Sequence, residues 1–126
     1  MVTARMAKGF TLIELLVVMT IVAALLTLAL PRYYTSIDRA KEAVLKENLY
    51  QLRDAIGKYY ADKGRYPDTL EVLAAEKYVR RIPPDPITDS AATWVVVPAS
   101  DTVPGVSDVR SGAAGRAQNG TEFATW

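Results

Sequence analysis

The chain has 126 residues, 50% of them hydrophobic, and a nearly even charge balance of 15 Lys+Arg against 14 Asp+Glu. No broad basic field argues for nucleic acid, and the Arg80–Arg81 pair reads as a solvated surface feature. Cysteine and histidine are both absent, which excludes disulfide staples and removes the commonest metal ligand and the commonest general base.

Residues 1–9, MVTARMAKG, carry Arg5 and Lys8 and no acidic side chain. The 21 residues from Phe10 to Leu30 follow as a nearly unbroken apolar run whose only ionisable side chain is Glu14. As a helix that run is about 30 Å long, enough to cross a bilayer core. A secretory signal would show a shorter apolar stretch and a small-x-small cleavage site. Here the run ends at Pro31-Arg32-Tyr33-Tyr34 with no such site. Hydropathy therefore predicts a membrane helix with its amino end in the cytoplasm, because the positive charges precede it; Arg32 and Arg39 weaken that bias slightly. An ordinary single-pass anchor leaves Glu14 unexplained, since a carboxylate in such a segment costs about 2.5–3.5 kcal/mol on insertion scales.

Residues 32–63 are predicted to form an amphipathic helix, with apolar residues at Ile37, Ala40, Val44, Leu45, Leu49, Leu52, Ile56 and Tyr59. Glu42–Lys46 and Asp54–Lys58 are expected i,i+4 pairs on its wetter side. The tyrosines at 33, 34, 50, 59 and 60 read as packing groups. Pro31 removes a donor but precedes a strongly helical segment, so a kink with continuation is expected, and Gly64 supplies the stop. Asp68 with Glu71 suggests a capping box before a short helix over 69–77, which Leu70 and Leu73 would pack on the head. Ile82-Pro83-Pro84-Asp85-Pro86 is expected to be a rigid extended connection, with Asp85 and Asp89 as turn residues. The runs TWVVVPAS (93–100) and GVSDVRSG (105–112) read as a hairpin. Residues 113–126 read as a loop anchored by Phe123 and Trp126, the latter expected to dock back on the sheet.

The stretch KGFTLIELLVVMTIVAALLTLALP resembles the amino-terminal signal of type IV pilins and type II secretion pseudopilins: a basic leader ending in Gly9, then Phe10, then Glu14 as fifth residue after the cut, then Pro31. RYPDTLEVL, YVRRIPPDPIT and Trp94 are similar to the loop after the long helix of the major pseudopilin, with Ile87 and Thr88 where that family usually has an aromatic and a glycine. The resemblance implies an α+β fold, with one long helix through residues 10–63 on a small head bearing a short helix and a small antiparallel sheet. It divides the chain into a leader (1–9), a transmembrane and filament-core helix (10–31) and a head that includes the amphipathic half-helix (32–126). It implies cleavage between Gly9 and Phe10 by a prepilin peptidase, which also methylates the Phe10 amine. Such an amine, with a reference pKa of about 7.7–8.0, can meet Glu14 of a neighbouring subunit and penalise any stagger that leaves a charge alone in the apolar core.

The implied function is a structural subunit of a type II secretion pseudopilus, and no motif pairs a nucleophile with a base, so no enzyme is expected. The expected partners are further copies, the peptidase, minor pseudopilins, an inner-membrane assembly platform with its ATPase, and the membrane. The expected location is the inner membrane with a periplasmic head. The alternatives are a type IV pilus subunit serving adhesion, motility or DNA uptake, and a membrane-tethered binding module. Major pseudopilins often hold calcium in the final loop. The matching stretch here offers Ser111, Gln118, Asn119 and Glu122, with Asp101 and Asp108 nearby, poor in the carboxylates calcium favours. No cofactor is expected.

Overall fold

The computed structural model describes residues 9–126, so the basic leader up to Lys8 lies outside the described residues. The long helix α1 spans Leu12–Lys63 and carries Pro31 inside it, so the proline does not end the helix. Gly64 does: its φ is +70°, a conformation that costs other residues more, and its amide donates to the Tyr60 carbonyl at 2.8 Å. The chain divides into two units after Ser36.

In the first unit, the whole apolar run is exposed, from Phe10 (87% exposed) just ahead of α1 and Leu12 (89%) at its start to Leu30 (48%). In the second unit, the helix buries Leu45, Leu49, Leu52, Ala55, Ile56 and Tyr59. The alternating four-and-three spacing of Leu45, Leu49, Leu52, Ile56 and Tyr59 makes one narrow apolar stripe. Ala40 and Val44, expected on that stripe, lie off it and are exposed. Of the five helical tyrosines only Tyr59 reaches the core. Tyr33, Tyr34, Tyr50 and Tyr60 are exposed, Tyr60 stacked on Tyr66 with ring centroids 4.5 Å apart.

A short helix α2 (Leu70–Ala75) follows, with Leu70 and Leu73 buried as expected. Its N-cap is Thr69 and no side chain caps it, so the anticipated Asp68–Glu71 box does not form. Strands β1 (Val95–Val97) and β2 (Asp108–Arg110) pair antiparallel with Val96 opposite Val109, a shorter hairpin than the sequence suggests. Gly112 permits its closure, since a Cβ there would sit 2.0 Å from the Thr93 carbonyl oxygen. A 3-10 turn at Phe123–Thr125 ends the chain. The core gathers the α1 stripe, Leu70, Leu73, Trp94, Val106, Val109, Ala113, Ala117 and Phe123. The result is the expected α+β architecture, a long helix with a small head of one short helix and a two-stranded sheet.

Candidate functional site

Gly9 and Phe10 lie exposed just ahead of α1, before the first helical hydrogen bond, which runs from the Leu15 amide to the Thr11 carbonyl. Glu14 sits in the first turn. Its amide donates to Thr11 Oγ1 at 3.2 Å, and its carboxylate accepts from the Thr11 amide at 3.4 Å. This is a reciprocal capping box, Thr11-Leu12-Ile13-Glu14, which satisfies two amides that a helix start would otherwise leave bare. The sequence carries the Thr-x-x-Glu signature in plain view, and the sequence reading missed it. A carboxylate near the positive end of the helix dipole is also favourably placed.

The other polar side chains of the run are already satisfied. The hydroxyls of Thr20 and Thr27 donate to the carbonyls of Leu16 and Ala23 at 2.7 and 2.8 Å. Those bonds remain available in lipid, where no water could replace them. Glu14 is the one formal charge between Phe10 and Leu30, a run whose side chains are all exposed. That surface needs a bilayer or other helices to cover it. Pro31, the remaining anticipated site residue, stands about 25 Å further along the helix and does not meet Glu14.

The head is organised around a different carboxylate. Asp85 is fully buried, and its Oδ1 accepts from the Ile87 amide at 2.8 Å and, more weakly, the Thr88 amide at 3.4 Å. Its Oδ2 accepts from the buried Ser111 hydroxyl at 2.5 Å, and Ser111 Oγ accepts from the Ala113 amide at 3.1 Å. Backbone bonds from Asp85 to Ser90 and from Asp89 to Asp85 close the turn. Trp94 Nε1 donates to the Pro83 carbonyl at 2.8 Å, tying the same turn to the core. Asp85 thus links the proline turn to the strand exit, a role the sequence reading reduced to that of a turn residue.

The oxygens considered for calcium do not fit a hard divalent cation as they are placed. Asp108 pairs with Arg53 at 2.9 Å, Glu122 with Arg116 at 3.2 Å, and Ser111 donates to Asp85. Asn119 Oδ1 accepts from the Thr121 amide and hydroxyl. Among the described residues, no three Asp or Glu side chains gather where they could hold a metal. Of the two expected helical ion pairs, Asp54–Lys58 forms at 2.9 Å. Glu42 and Lys46 turn instead to the C-terminal loop: Glu42 accepts from the Gln118 amide, and the Lys46 ammonium lies 4.8 Å from the Trp126 ring centroid. Trp126, expected to dock on the sheet, instead meets Lys46 of α1 and donates to Thr121. Tyr78 donates to Asp62 at 2.7 Å, and that hydrogen bond, with a smaller desolvation effect, pushes its phenol up to about 12.

The prokaryotic N-terminal methylation motif matches residues 4–30. The chain is 30% identical over 95 residues to the type II secretion system core protein G of Klebsiella michiganensis, an alignment covering 63% of this chain and 67% of that protein. It is 31% identical over 98 residues to core protein G of Pseudomonas aeruginosa, covering 65% and 69% respectively. Fimbrial protein EcpC of Eikenella corrodens is 32% identical over 108 residues, 82% of this chain and 68% of the relative. No solved structure matches the chain.

Proposed function

The chain belongs to the type IV pilin-like family, and from that premise we propose that it works as a structural subunit of a type II secretion pseudopilus, helping to move folded proteins across the outer membrane. It is a filament protein and not an enzyme. The observation that carries the reading is the uncovered apolar half of α1 with a single carboxylate near its start.

In this reading a prepilin peptidase cuts between Gly9 and Phe10, in the exposed segment before the helix, and methylates the new amine. Before assembly the apolar half is covered by the inner membrane, with Arg5 and Lys8 on the cytoplasmic side and the head in the periplasm. In the filament it is covered by the same segment of other copies. Among the described residues, the Glu14 carboxylate accepts from the Thr11 amide, at a long 3.4 Å. An amine at Phe10 of a neighbour would be a stronger, charge-assisted partner. Sliding one helix past another would then leave two charges unpaired in a low dielectric, so the pair sets the stagger of subunit addition. Pro31 marks the passage from the lipid-covered to the head-bearing half of the helix. An inner-membrane platform with its ATPase would drive extension, with minor pseudopilins at the growing structure. A pilus for adhesion, motility or DNA uptake is the weaker reading, and the relatives named core protein G favour secretion.

The test compares Glu14→Gln with wild type. Glutamine at this helix position still serves a capping box, so the helix start is kept while the charge is removed. Intact-mass analysis should show both chains shortened by the leader of nine residues and carrying one added methyl group. Both should reside in the membrane, but the glutamine chain should yield few or no filaments. Normal filaments from Glu14→Gln would end the pairing mechanism, and an unprocessed wild-type chain would end the family reading of Gly9 and Phe10.

A further inference from the structure

The segment from Gly115 to Glu122 is a closed turn. Arg116 and Glu122 form an antiparallel bridge, the Ala117 amide donates to the Thr121 carbonyl at 2.7 Å, and the Gly120 amide donates to the Ala117 carbonyl at 2.9 Å. Across this turn lies the Arg116 guanidinium. It donates from Nη1 to the Gly120 carbonyl at 3.0 Å and from Nη2 to the Glu122 carboxylate at 3.2 Å. A backbone carbonyl and a carboxylate turned toward one positive centre are the donor types a hard divalent cation would use. Here the positive centre is part of the chain.

The closed turn is held against α1 by three residues at helical spacing. Arg39 Nε donates to Gln118 Oε1 at 3.1 Å, Glu42 accepts from the Gln118 amide at 2.7 Å, and Lys46 lies over Trp126. Steps of three and four put Arg39, Glu42 and Lys46 on one face of the helix. Phe123 is buried beneath, its ring 5.2 Å from that of Trp126.

We propose that Arg116 is the resident cation of this loop, closing residues 115–122 so that Gln118 and Trp126 meet the Arg39–Glu42–Lys46 face without any metal ion. A guanidinium remains protonated throughout the accessible pH range and presents a planar fork that suits two oxygen acceptors at once. A bound metal stabilises only with the logarithm of its free concentration and is lost when that concentration falls below its Kd, whereas a covalent cation is always present. The loop therefore holds its closure through chelation and calcium depletion. Because Arg116 and Glu122 are 67% and 55% exposed, the pair is screened by salt and governs local closure rather than global stability.

The experiment is amide hydrogen exchange on the full chain in detergent, read at the loop (residues 115–122) and at the buried helix face (residues 45–59), with excess calcium and with a chelator. The wild-type loop should exchange equally under both conditions. Arg116→Gln should speed loop exchange about two- to fivefold, the factor an exposed ion pair supports, with the helix face unchanged. Adding Glu122→Gln to Arg116→Gln should change nothing further, because the partner has already gone. Loop protection that rises with calcium in wild type, or an Arg116→Gln loop as protected as wild type, would overturn the proposal. So would additive effects of the two substitutions.

Discussion

Replacing Asp85 with alanine removes the acceptor that joins the proline turn to the end of β2. Both Asp85 and Ser111 are buried, at 0% and 1% exposure. The substitution leaves the Ile87 amide and the Ser111 hydroxyl without the partners they have at 2.8 and 2.5 Å. A buried donor left unsatisfied costs about 1–3 kcal/mol. The Ser111 hydroxyl can rotate toward another acceptor, so the low end applies to it, and about 2–4 kcal/mol is expected in total. For a head of this size each kcal/mol moves the melting point by roughly 4–8 °C, so a fall of about 8–32 °C follows. Asp85→Asn should cost less, about 1 kcal/mol, because Oδ1 still accepts from Ile87 while the amide nitrogen forces Ser111 to become an acceptor. The assay is thermal melting by circular dichroism beside Trp94 fluorescence, since the Trp94 indole is bonded to Pro83 in the same turn. If Asp85→Ala melts within two or three degrees of wild type (well inside the shift worked out above), water has entered and satisfied both donors, and the idea of Asp85 as the organising group of the head fails.

A chain beginning near Tyr33 should be soluble and melt cooperatively, because every buried core side chain lies between Leu45 and Phe123; an aggregating, non-cooperative product would show that the head needs the apolar half of α1. Tyr78 should give the head an alkaline limit. Its phenol is raised to about 12 in the folded chain by its bond to Asp62, against about 10 when unfolded. The stabilisation is therefore complete below pH about 10 and lost as pH rises through about 12. Tyr78→Phe should melt slightly lower at neutral pH and show a weaker decline at high pH; an unchanged alkaline profile would refute the assignment.

Local periodicity determined much of this protein from the sequence alone. The apolar run with Glu14, the buried stripe of Leu45, Leu49, Leu52, Ile56 and Tyr59 and the stop at Gly64 all follow from rules that act within a few residues. The Thr11–Glu14 capping box belongs with them, for it spans four residues and was legible though unread. What no short window carries is which distant groups meet. Asp85 reaches Ser111 across 26 positions, Arg53 reaches Asp108 across 55, and Arg39 reaches Gln118 across 79. Sequence spacing suggested Glu42 for Lys46, and the family resemblance pointed to Glu122 and Asp108 as oxygens near a calcium site, though with too few carboxylates for a good one. Tertiary structure gave Glu42 and Lys46 to the C-terminal loop and gave each of the two carboxylates an arginine. A helical pair at i,i+4 contributes only a few tenths of a kcal/mol, so the path of the returning chain, settled by burial of Phe123, Ala117 and Val109 on the α1 stripe, decides which partner each charge takes.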